Sequence, residues 1–169
     1  MNKFILNYLG LFFILLSVLS FFNIVYSYYF NLYLNINTYF YTFLISIIIS
    51  LISFFYKSFD SKITIYQKIF AVFIGYILLP LVIAIPFYLS IYNVSFLDCY
   101  FEAISGFTST GFTIFDNIKH IDQSLILWRS SIQWIGGLYF LFSIIYLIDI
   151  YDESFKKSLT NYLSFNSSE

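Results

Sequence analysis

Four long apolar runs, separated by shorter polar stretches, dominate the sequence. They cover about residues 4–29, 38–56, 69–92 and 125–148. Each run has the roughly 20 residues that an α-helix needs to cross the hydrocarbon core of a bilayer at 1.5 Å per residue. The pattern therefore predicts an all-α integral membrane protein with four transmembrane helices. The first run is too long for the apolar part of a signal peptide, and no small-x-small cleavage site follows it, so we interpret it as a retained helix.

Basic residues lie unevenly between these runs. The segment between the first two runs, residues 30–37, has no charged residue. Six lysines lie at run ends that would face the same side of the membrane: Lys3, Lys57, Lys62, Lys68, Lys156 and Lys157. The positive-inside rule therefore places both termini and the 57–68 loop in the cytoplasm. The expected location is the cell inner membrane, which the chain crosses several times.

Composition agrees with a membrane protein and excludes other classes. The chain is 60% hydrophobic, 25% aromatic and only 10% charged, whereas soluble domains carry about 25% charged residues. A soluble enzyme and a disordered chain are therefore excluded. Eight Lys and Arg against nine Asp and Glu leave no basic face for nucleic acid. With a single Cys, a single His and no nucleophile–base pair or cofactor motif, we expect neither enzymatic activity nor a cofactor.

The segment between the third and fourth runs, residues 94–123, contains an apolar helix too short to cross the membrane. Ser95 and Asp98 form a Ser-x-x-Asp capping-box pattern, which predicts a helix over about 96–106. About eleven residues extend on the order of 16 Å, half the hydrocarbon thickness. We therefore predict a re-entrant helix that enters from the outside and returns. A charge at membrane depth costs roughly 2.5–3.5 kcal/mol, so Glu102 is expected to face protein or water.

A short hydroxyl-rich stretch follows this helix, and it fits an ion-binding loop. Non-helical backbone is tolerated within a membrane only where it is packed in protein or lines a water-filled path. Gly111 can adopt a positive φ, which lets successive carbonyls turn toward one axis. Such carbonyls replace the hydration shell of a monovalent cation, as in the TVGYG filters of potassium channels, and the negative end of the helix dipole would favour a cation there. Ser109-Thr110-Gly111-Phe112-Thr113 has the hydroxyl, the glycine and the aromatic residue of that pattern in register, so this stretch is a candidate filter for a monovalent cation.

Two other interpretations of the stretch compete with a filter loop. Gly106, Gly111 and Thr113 nearly match the phosphate-binding pattern G-x-x-x-x-G-K-[ST], but Phe112 replaces its lysine and no strand precedes it. A plain extracellular loop with turn-forming Ser, Thr and Gly also fits. The pattern of this stretch alone leaves that second interpretation open.

A longer set of residues resembles the Trk/Ktr/HKT superfamily of potassium transporters, and most closely the first pore repeat of its bacterial Trk branch. FEAISGFTSTG at 101–111 and LWRSSIQWIGG at 127–137 carry the resemblance. In that family the pore is formed by four non-identical units, each with an outer helix, a pore helix, a filter and an inner helix. The resemblance implies that residues 69–149 form one such unit. It also implies that 1–68 form two leading transmembrane helices with a cytoplasmic loop, and that 150–169 form a cytoplasmic tail.

The resemblance also implies a function and partners. The residues that match the filter backbone are Thr108, Ser109, Thr110, Gly111 and Phe112, and Gly111 matches its glycine. The implied function is potassium uptake, with potassium, the transported substrate, held at Thr110 and Gly111. Because one filter segment supplies one wall of a pore, we expect further pore repeats, from other chains or from a missing C-terminal part, besides the lipid bilayer. A cytosolic nucleotide-binding regulatory subunit is implied as well. The alternative is a non-conducting truncated remnant or an accessory membrane subunit of a cation transporter.

Arg129, near the start of the fourth run, has two interpretations. Beside Trp128 and Trp134 it is typical of a membrane interface, where a long cationic side chain reaches the headgroups. Alternatively, it pairs with Asp98 or Glu102 and supports the short helix. We therefore take Glu102 and Arg129 as candidate pore-supporting residues.

Small residues and prolines predict two local features of the spans. Pro80 and Pro86 predict a kink in the third span, because neither residue can donate a backbone hydrogen bond. Gly136 and Gly137 predict either a close-packing notch or a gating hinge in the fourth span. Cys99 is expected to be a packed small residue.

Overall fold

The described part of the chain is helical in all its regular structure and contains no strand. The computed structural model describes residues 3–55, 65–90, 92–115 and 121–166, with side chains over 6–55, 66–90, 92–115 and 121–147. Lys57 and Lys62, on which part of the topology prediction rests, lie outside these ranges.

Four of the helical segments are long and apolar enough to cross a membrane, as the apolar runs predicted. These segments are Leu6–Tyr29, Tyr33–Phe55, Tyr66–Tyr88 and Gln123–Leu147. In chain order the helices are α1 (Lys3–Tyr29), α2 (Ile36–Phe55, preceded by a 3₁₀ turn at Tyr33–Asn35), α3 (Ile65–Ile83), α4 (Ile85–Tyr88), α5 (Phe96–Phe107) and α6 (Gln123–Asn166).

The third span is interrupted near its C-terminal end. α3 ends at Ile83 and α4 begins two residues later, with Pro86 in its first turn. Pro86 has no N–H to donate to the carbonyl four residues before it, so the helical hydrogen-bond ladder breaks here. Pro80, in contrast, lies inside α3. The predicted kink is therefore a helix break at the second proline, and helical structure stops at Tyr88 rather than at the predicted 92.

α6 is far longer than the predicted fourth span. It has 44 residues and extends about 66 Å, roughly twice the thickness of the hydrocarbon core. Helical structure continues without interruption from the apolar segment to Asn166. Most of the predicted tail, residues 150–169, is thus a continuation of the fourth span.

Tyr139 lies at the centre of the core and joins α6 to three other helices. It is fully buried, and its hydroxyl donates to the carbonyl of Val72 at 2.8 Å. Its ring centroid lies 4.7 Å from that of Phe12 and 5.3 Å from that of Phe107. Such aromatic pairs contribute about 0.5–1.5 kcal/mol each beyond area burial. Gly75 leaves room for the ring, because a Cβ at that position would overlap the Tyr139 hydroxyl.

Trp128 is buried, so it does not lie at a membrane interface as one interpretation of Arg129 required. Its exposed fraction is 0%, and its indole N–H donates to the carbonyl of Ile83 at 3.2 Å. Ile83 is the last residue of α3, and a carbonyl at a helix end needs a partner outside the helix. Trp134 is 59% exposed, as an interfacial tryptophan would be.

Candidate functional site

α5 begins with a serine cap and separates an exposed face from a buried one. The Ser95 hydroxyl accepts the backbone N–H of Asp98 at 3.3 Å and donates to its carboxylate at 2.7 Å. This is the first half of the predicted capping box. Leu97 and Phe101 are 76% and 49% exposed, whereas Glu102 is completely buried. The prediction that Glu102 faces protein is confirmed.

Glu102 is enclosed by Arg129 and by the segment that follows the hydroxyl-rich loop. Arg129 Nε lies 2.9 Å from Glu102 Oε1. The Nε–H is not aligned for a hydrogen bond, so the contact is an ion pair. The Thr113 hydroxyl donates to Oε1 at 3.3 Å and the Ile114 N–H donates to Oε2 at 3.0 Å. A fully buried carboxylate requires such compensation, because removing it from water costs several kcal/mol.

The loop formed by residues 108–112 is held at its C-terminal end by two side chains. The Ser105 hydroxyl donates to the carbonyl of Phe112 at 2.6 Å. Arg129 Nη2 donates to the same carbonyl at 3.2 Å and to that of Gly111 at 3.4 Å. The carbonyl of Ser105 in turn accepts the Thr110 N–H at 3.0 Å. The structure thus brings the predicted residues Glu102 and Arg129 to the back of the predicted loop.

The supporting contacts of Ser105 and Thr113 were not predicted. Ser105 lies three residues after Glu102, so the two share one helix face, and that spacing was the available signal. Thr113 offered none, since its contact with Glu102 depends on where the loop turns. Both hydroxyls supply hydrogen bonds that keep the loop against α5.

Two loop residues have a left-handed backbone conformation. Gly111 has a φ of +81°, as predicted for the filter glycine, and Ser109 has a φ of 57°. Glycine adopts this region freely, whereas a residue with a Cβ does so at a cost of about 1–2 kcal/mol. The strain at Ser109 marks a conformation that the surrounding hydrogen bonds impose.

Three consecutive carbonyl oxygens of the loop have no donor within the described part of the chain. Thr108, Ser109 and Thr110 are exposed, and no described residue donates a hydrogen bond to their carbonyl oxygens. The loop therefore presents uncharged oxygen atoms, the ligand type used by filters for monovalent cations. Among the side chains that the structure describes, no group of three His, Cys, Asp or Glu could hold a metal ion.

Gly136 brings α6 into direct contact with the end of α5. A Cβ at Gly136 would overlap the carbonyl of Phe107, whereas a Cβ at Gly137 would meet no atom within 4 Å. The predicted close-packing notch is therefore present at Gly136 and not at Gly137. A cleft of about 500 Å³ lies beside this contact and is lined in part by the loop residues Thr108 and Ser109.

Curated transport proteins match about a third of the chain. The Trk system potassium uptake protein TrkG of Escherichia coli is 36% identical over 64 residues, which is 37% of this chain and 13% of the relative. TrkI of Halomonas elongata is 38% identical over 60 residues, 36% of this chain and 11% of the relative. The chain is related to the Trk potassium uptake proteins.

The Trk relationship has a defined extent. An uncharacterized cation transporter of Methanocaldococcus jannaschii is 46% identical over 55 residues, 32% of this chain and 12% of the relative. The matched segments span only about an eighth of the length of these curated relatives. No family model matches the chain. Because the relatives are transporters, the chain is related to transport proteins and not to enzymes.

Proposed function

We propose that the chain supplies one wall of a transmembrane pathway for potassium, as one repeat of a four-repeat selectivity filter. The observation that carries this proposal is that three consecutive exposed residues, Thr108, Ser109 and Thr110, have carbonyl oxygens without protein donors among the described residues. A cation that sheds its water requires such a row of uncharged oxygens. The next carbonyl, that of Gly111, accepts one hydrogen bond from Arg129 at 3.4 Å and keeps a second lone pair for a cation.

Phe112 takes a different role in this proposal from the one its sequence position suggested. Its carbonyl accepts hydrogen bonds from Ser105 and Arg129. A carbonyl with two donors is a poor cation ligand, since both of its lone pairs are in use. Phe112 therefore fixes the end of the loop, and the proposed ion ligands are the carbonyls of the preceding residues.

In this proposal α5 is a re-entrant pore helix. Its 12 residues extend about 18 Å, too short to cross the hydrocarbon core. The last residue of α5, Phe107, directly precedes the loop, so the partial negative charge of the helix C-terminus lies beside the proposed ion ligands. The exposed side chains of Leu97 and Phe101 then face lipid or a neighbouring pore repeat.

The buried ion pair supports the loop without repelling the transported ion. Arg129 alone would place a positive charge beside the loop carbonyls that it contacts. Glu102, 2.9 Å away, neutralises that charge at a range where Coulomb interactions in a low-dielectric interior are strong. The pair therefore supplies hydrogen-bond donors to the loop at no net charge.

The proposal includes partners and an orientation. Further pore repeats would complete the filter on the side of the cleft next to Thr108 and Ser109. Both termini would lie in the cytoplasm, in the inner membrane, as the lysine distribution suggests. The continuation of α6 to Asn166 would then extend beyond the bilayer, where a cytosolic nucleotide-binding regulatory subunit could contact it.

Growth of a bacterium that lacks potassium uptake tests the proposal. The chain is expressed at limiting potassium, alone and together with a segment that supplies further pore repeats. Restored growth that Gly111→Asp abolishes is expected. Asn31→Asp is the matched control, because Asn31 is exposed, lies in a turn and also has a positive φ. Absence of growth in every combination, with the chain present in the membrane, would favour a non-conducting accessory subunit or remnant.

A further inference from the structure

A cluster of buried polar side chains joins the first two helices to the start of α6. We call it the hairpin cluster; its members are Asn23, Asn35, Tyr39, Asp122 and Ser124. Asn35, Tyr39 and Ser124 are completely buried, and Asn23 is 1% exposed. None of these residues contacts the loop at 108–112, and the proposed function does not use them. Most polar groups this deeply buried are hydrogen-bonded, so their partners show what the cluster does. The side-chain oxygens of Asn23 and Asn35 have no partner among the described residues, whereas their amide N–H groups do.

The hydrogen bonds of the hairpin cluster converge on one carboxylate oxygen. Asn35 Nδ2 donates to Asp122 Oδ2 at 2.8 Å, and the Ser124 hydroxyl donates to the same oxygen at 2.7 Å. Since Ser124 uses its only proton in that bond, Tyr39 is the donor in its 2.9 Å contact with Ser124. α2 and the 3₁₀ turn before it therefore supply two chains of donors that both end on Asp122.

Asp122 is also the residue that starts α6. Its carbonyl accepts the N–H groups of Leu125 and Ile126 at 2.9 and 3.2 Å, the first hydrogen bonds of the helix. Its own N–H donates to the Tyr92 hydroxyl at 2.8 Å. Asn23 of α1 donates to the carbonyl of Ser124 at 3.4 Å. The first turn of α6 is thus held by α1, by α2 and by the segment after α4.

α6 also carries Arg129, which contacts the loop. Arg129 follows Asp122 by seven residues, which is two helical turns on the same face and about 10 Å. A helix transmits a rotation or shift of its first turn to residues two turns further along. The hairpin cluster therefore sets where Arg129 meets Glu102 and the carbonyls of Gly111 and Phe112.

We propose that Asn35 and Tyr39 are positioning residues for the loop at 108–112, acting through Asp122 and Ser124 on α6. In this proposal the leading helices have a second role besides crossing the membrane. They fix the position of α6, and Arg129 of α6 binds the loop. The effect on transport rests on the proposed function, whereas the effect on loop position does not. The two effects therefore need separate measurements.

The first measurement follows loop position with a reporter cysteine. Phe112→Cys places a thiol at an exposed site, while the native Cys99 is completely buried. The rate of labelling by a membrane-impermeant maleimide is measured in the full membrane assembly with Asn35→Asp, with Asp122→Asn and with both changes. Asn35→Asp sets two carboxylates against each other, and the double variant exchanges the two partners and restores an amide–carboxylate hydrogen bond. We expect each single change to alter the rate about fivefold or more and the exchange to restore it.

A second pair of variants keeps the proposal testable if the carboxylate variants fail to accumulate in the membrane. Tyr39→Phe removes only the hydroxyl that donates to Ser124. Tyr41→Phe is its matched control, because Tyr41 lies on the same helix and is 51% exposed. A labelling rate changed by Tyr39→Phe and not by Tyr41→Phe supports the positioning role. Equal rates in both variants would overturn it.

The second measurement is potassium uptake by the same hairpin-cluster variants without the reporter. The expected result is a changed apparent KM for potassium in Asn35→Asp that the exchange with Asp122→Asn reverses. Loop labelling that follows the predicted pattern while uptake is absent in every variant, including the unsubstituted chain, would contradict the proposed function and leave the positioning role supported. Unchanged labelling in a chain that transports would contradict the positioning role alone.

Discussion

The guanidinium group of Arg129 lies 2.9 Å from the carboxylate of Glu102 and also donates to the carbonyl of Phe112. One side chain of α6 thus contacts both the short helix α5 and the end of the loop that follows it. The arginine side chain is 12% exposed and the glutamate is not exposed at all. In a buried site, loss of one partner of an ion pair destabilises the protein mainly because the other charge stays buried and unpaired.

Arg129→Gln should destabilise the protein by about 3–5 kcal/mol, because it leaves Glu102 buried and uncompensated. Glu102→Gln should recover much of that loss when it is combined with Arg129→Gln. The free energies of unfolding in detergent of the two single variants and the double variant form a mutant cycle that isolates the pair. Additive effects of the two substitutions would show that the pair does not couple α5 to α6.

Gly136→Ala should destabilise the contact between α5 and α6 by about 1–3 kcal/mol, since its Cβ would overlap the carbonyl of Phe107. Gly137→Ala is the neighbouring control, because a Cβ there meets open space. Alanine also has the higher helix propensity, so this control should be neutral or slightly stabilising. The midpoints of thermal unfolding in detergent compare the two variants, and similar midpoints would mean that no close approach occurs at Gly136.

The change in stability caused by a substitution at Ser109 should depend on the backbone conformation rather than on side-chain size. Ser109→Gly relieves a left-handed φ of 57° and should change stability by less than about 1 kcal/mol. Ser109→Val should cost more than 1 kcal/mol, roughly, because β-branched residues avoid this region. Ser130→Val, at an exposed helical serine, controls for the new side chain. A lower midpoint of thermal unfolding for Ser109→Gly than for Ser109→Val would contradict the strained conformation.

Cys99 should react with thiol reagents only at high pH. Burial, with smaller contributions from Asp98 and Glu102, raises the pKa of its thiol from 9.0 to about 11. The reactive thiolate is the deprotonated form, so a raised pKa lowers reactivity below pH 11. At pH 8 the thiolate fraction is on the order of 0.1%, against about a tenth for a thiol with a pKa of 9.0. The alkylation rate should rise throughout the range from pH 7 to 11, whereas a plateau by about pH 10 would show a thiol with the ordinary pKa.

The number of spans could be predicted from the sequence, because it depends on the lengths of the apolar runs. Four apolar runs gave four spans, because the bilayer sets a minimum length that chance rarely meets. The break at Pro86 was harder to predict, since Pro80, six residues earlier, is accommodated inside α3. The burial of Trp128 could not be predicted for the same reason. Its burial depends on the carbonyl of Ile83 that the break leaves without a helical partner, and no pattern around Trp128 contains that information.

The parts of the site that depend on charge and on residue spacing could be predicted from the sequence. The cost of a charge at membrane depth is enough to place Glu102 inward, and a buried carboxylate makes Arg129 the natural partner. The hairpin cluster was not predictable in this way. Asn35 and Asp122 are 87 positions apart, and a polar residue between two apolar runs does not indicate which distant residue it contacts.

The central claim, that the loop at 108–112 lines a cation pathway, is tested most directly by the initial rate of potassium uptake in Gly111→Ala. A Cβ at Gly111 meets no atom within 4 Å, so the substitution acts only through the φ of +81°. Asn31→Ala is the control, because Asn31 also has a positive φ but lies in the exposed turn after α1, outside the loop. In the assembly that contains the further pore repeats, we predict that Gly111→Ala lowers the rate about tenfold, the effect of roughly 1.4 kcal/mol, while Asn31→Ala retains it. Equal uptake rates in Gly111→Ala and the unsubstituted chain would contradict the claim.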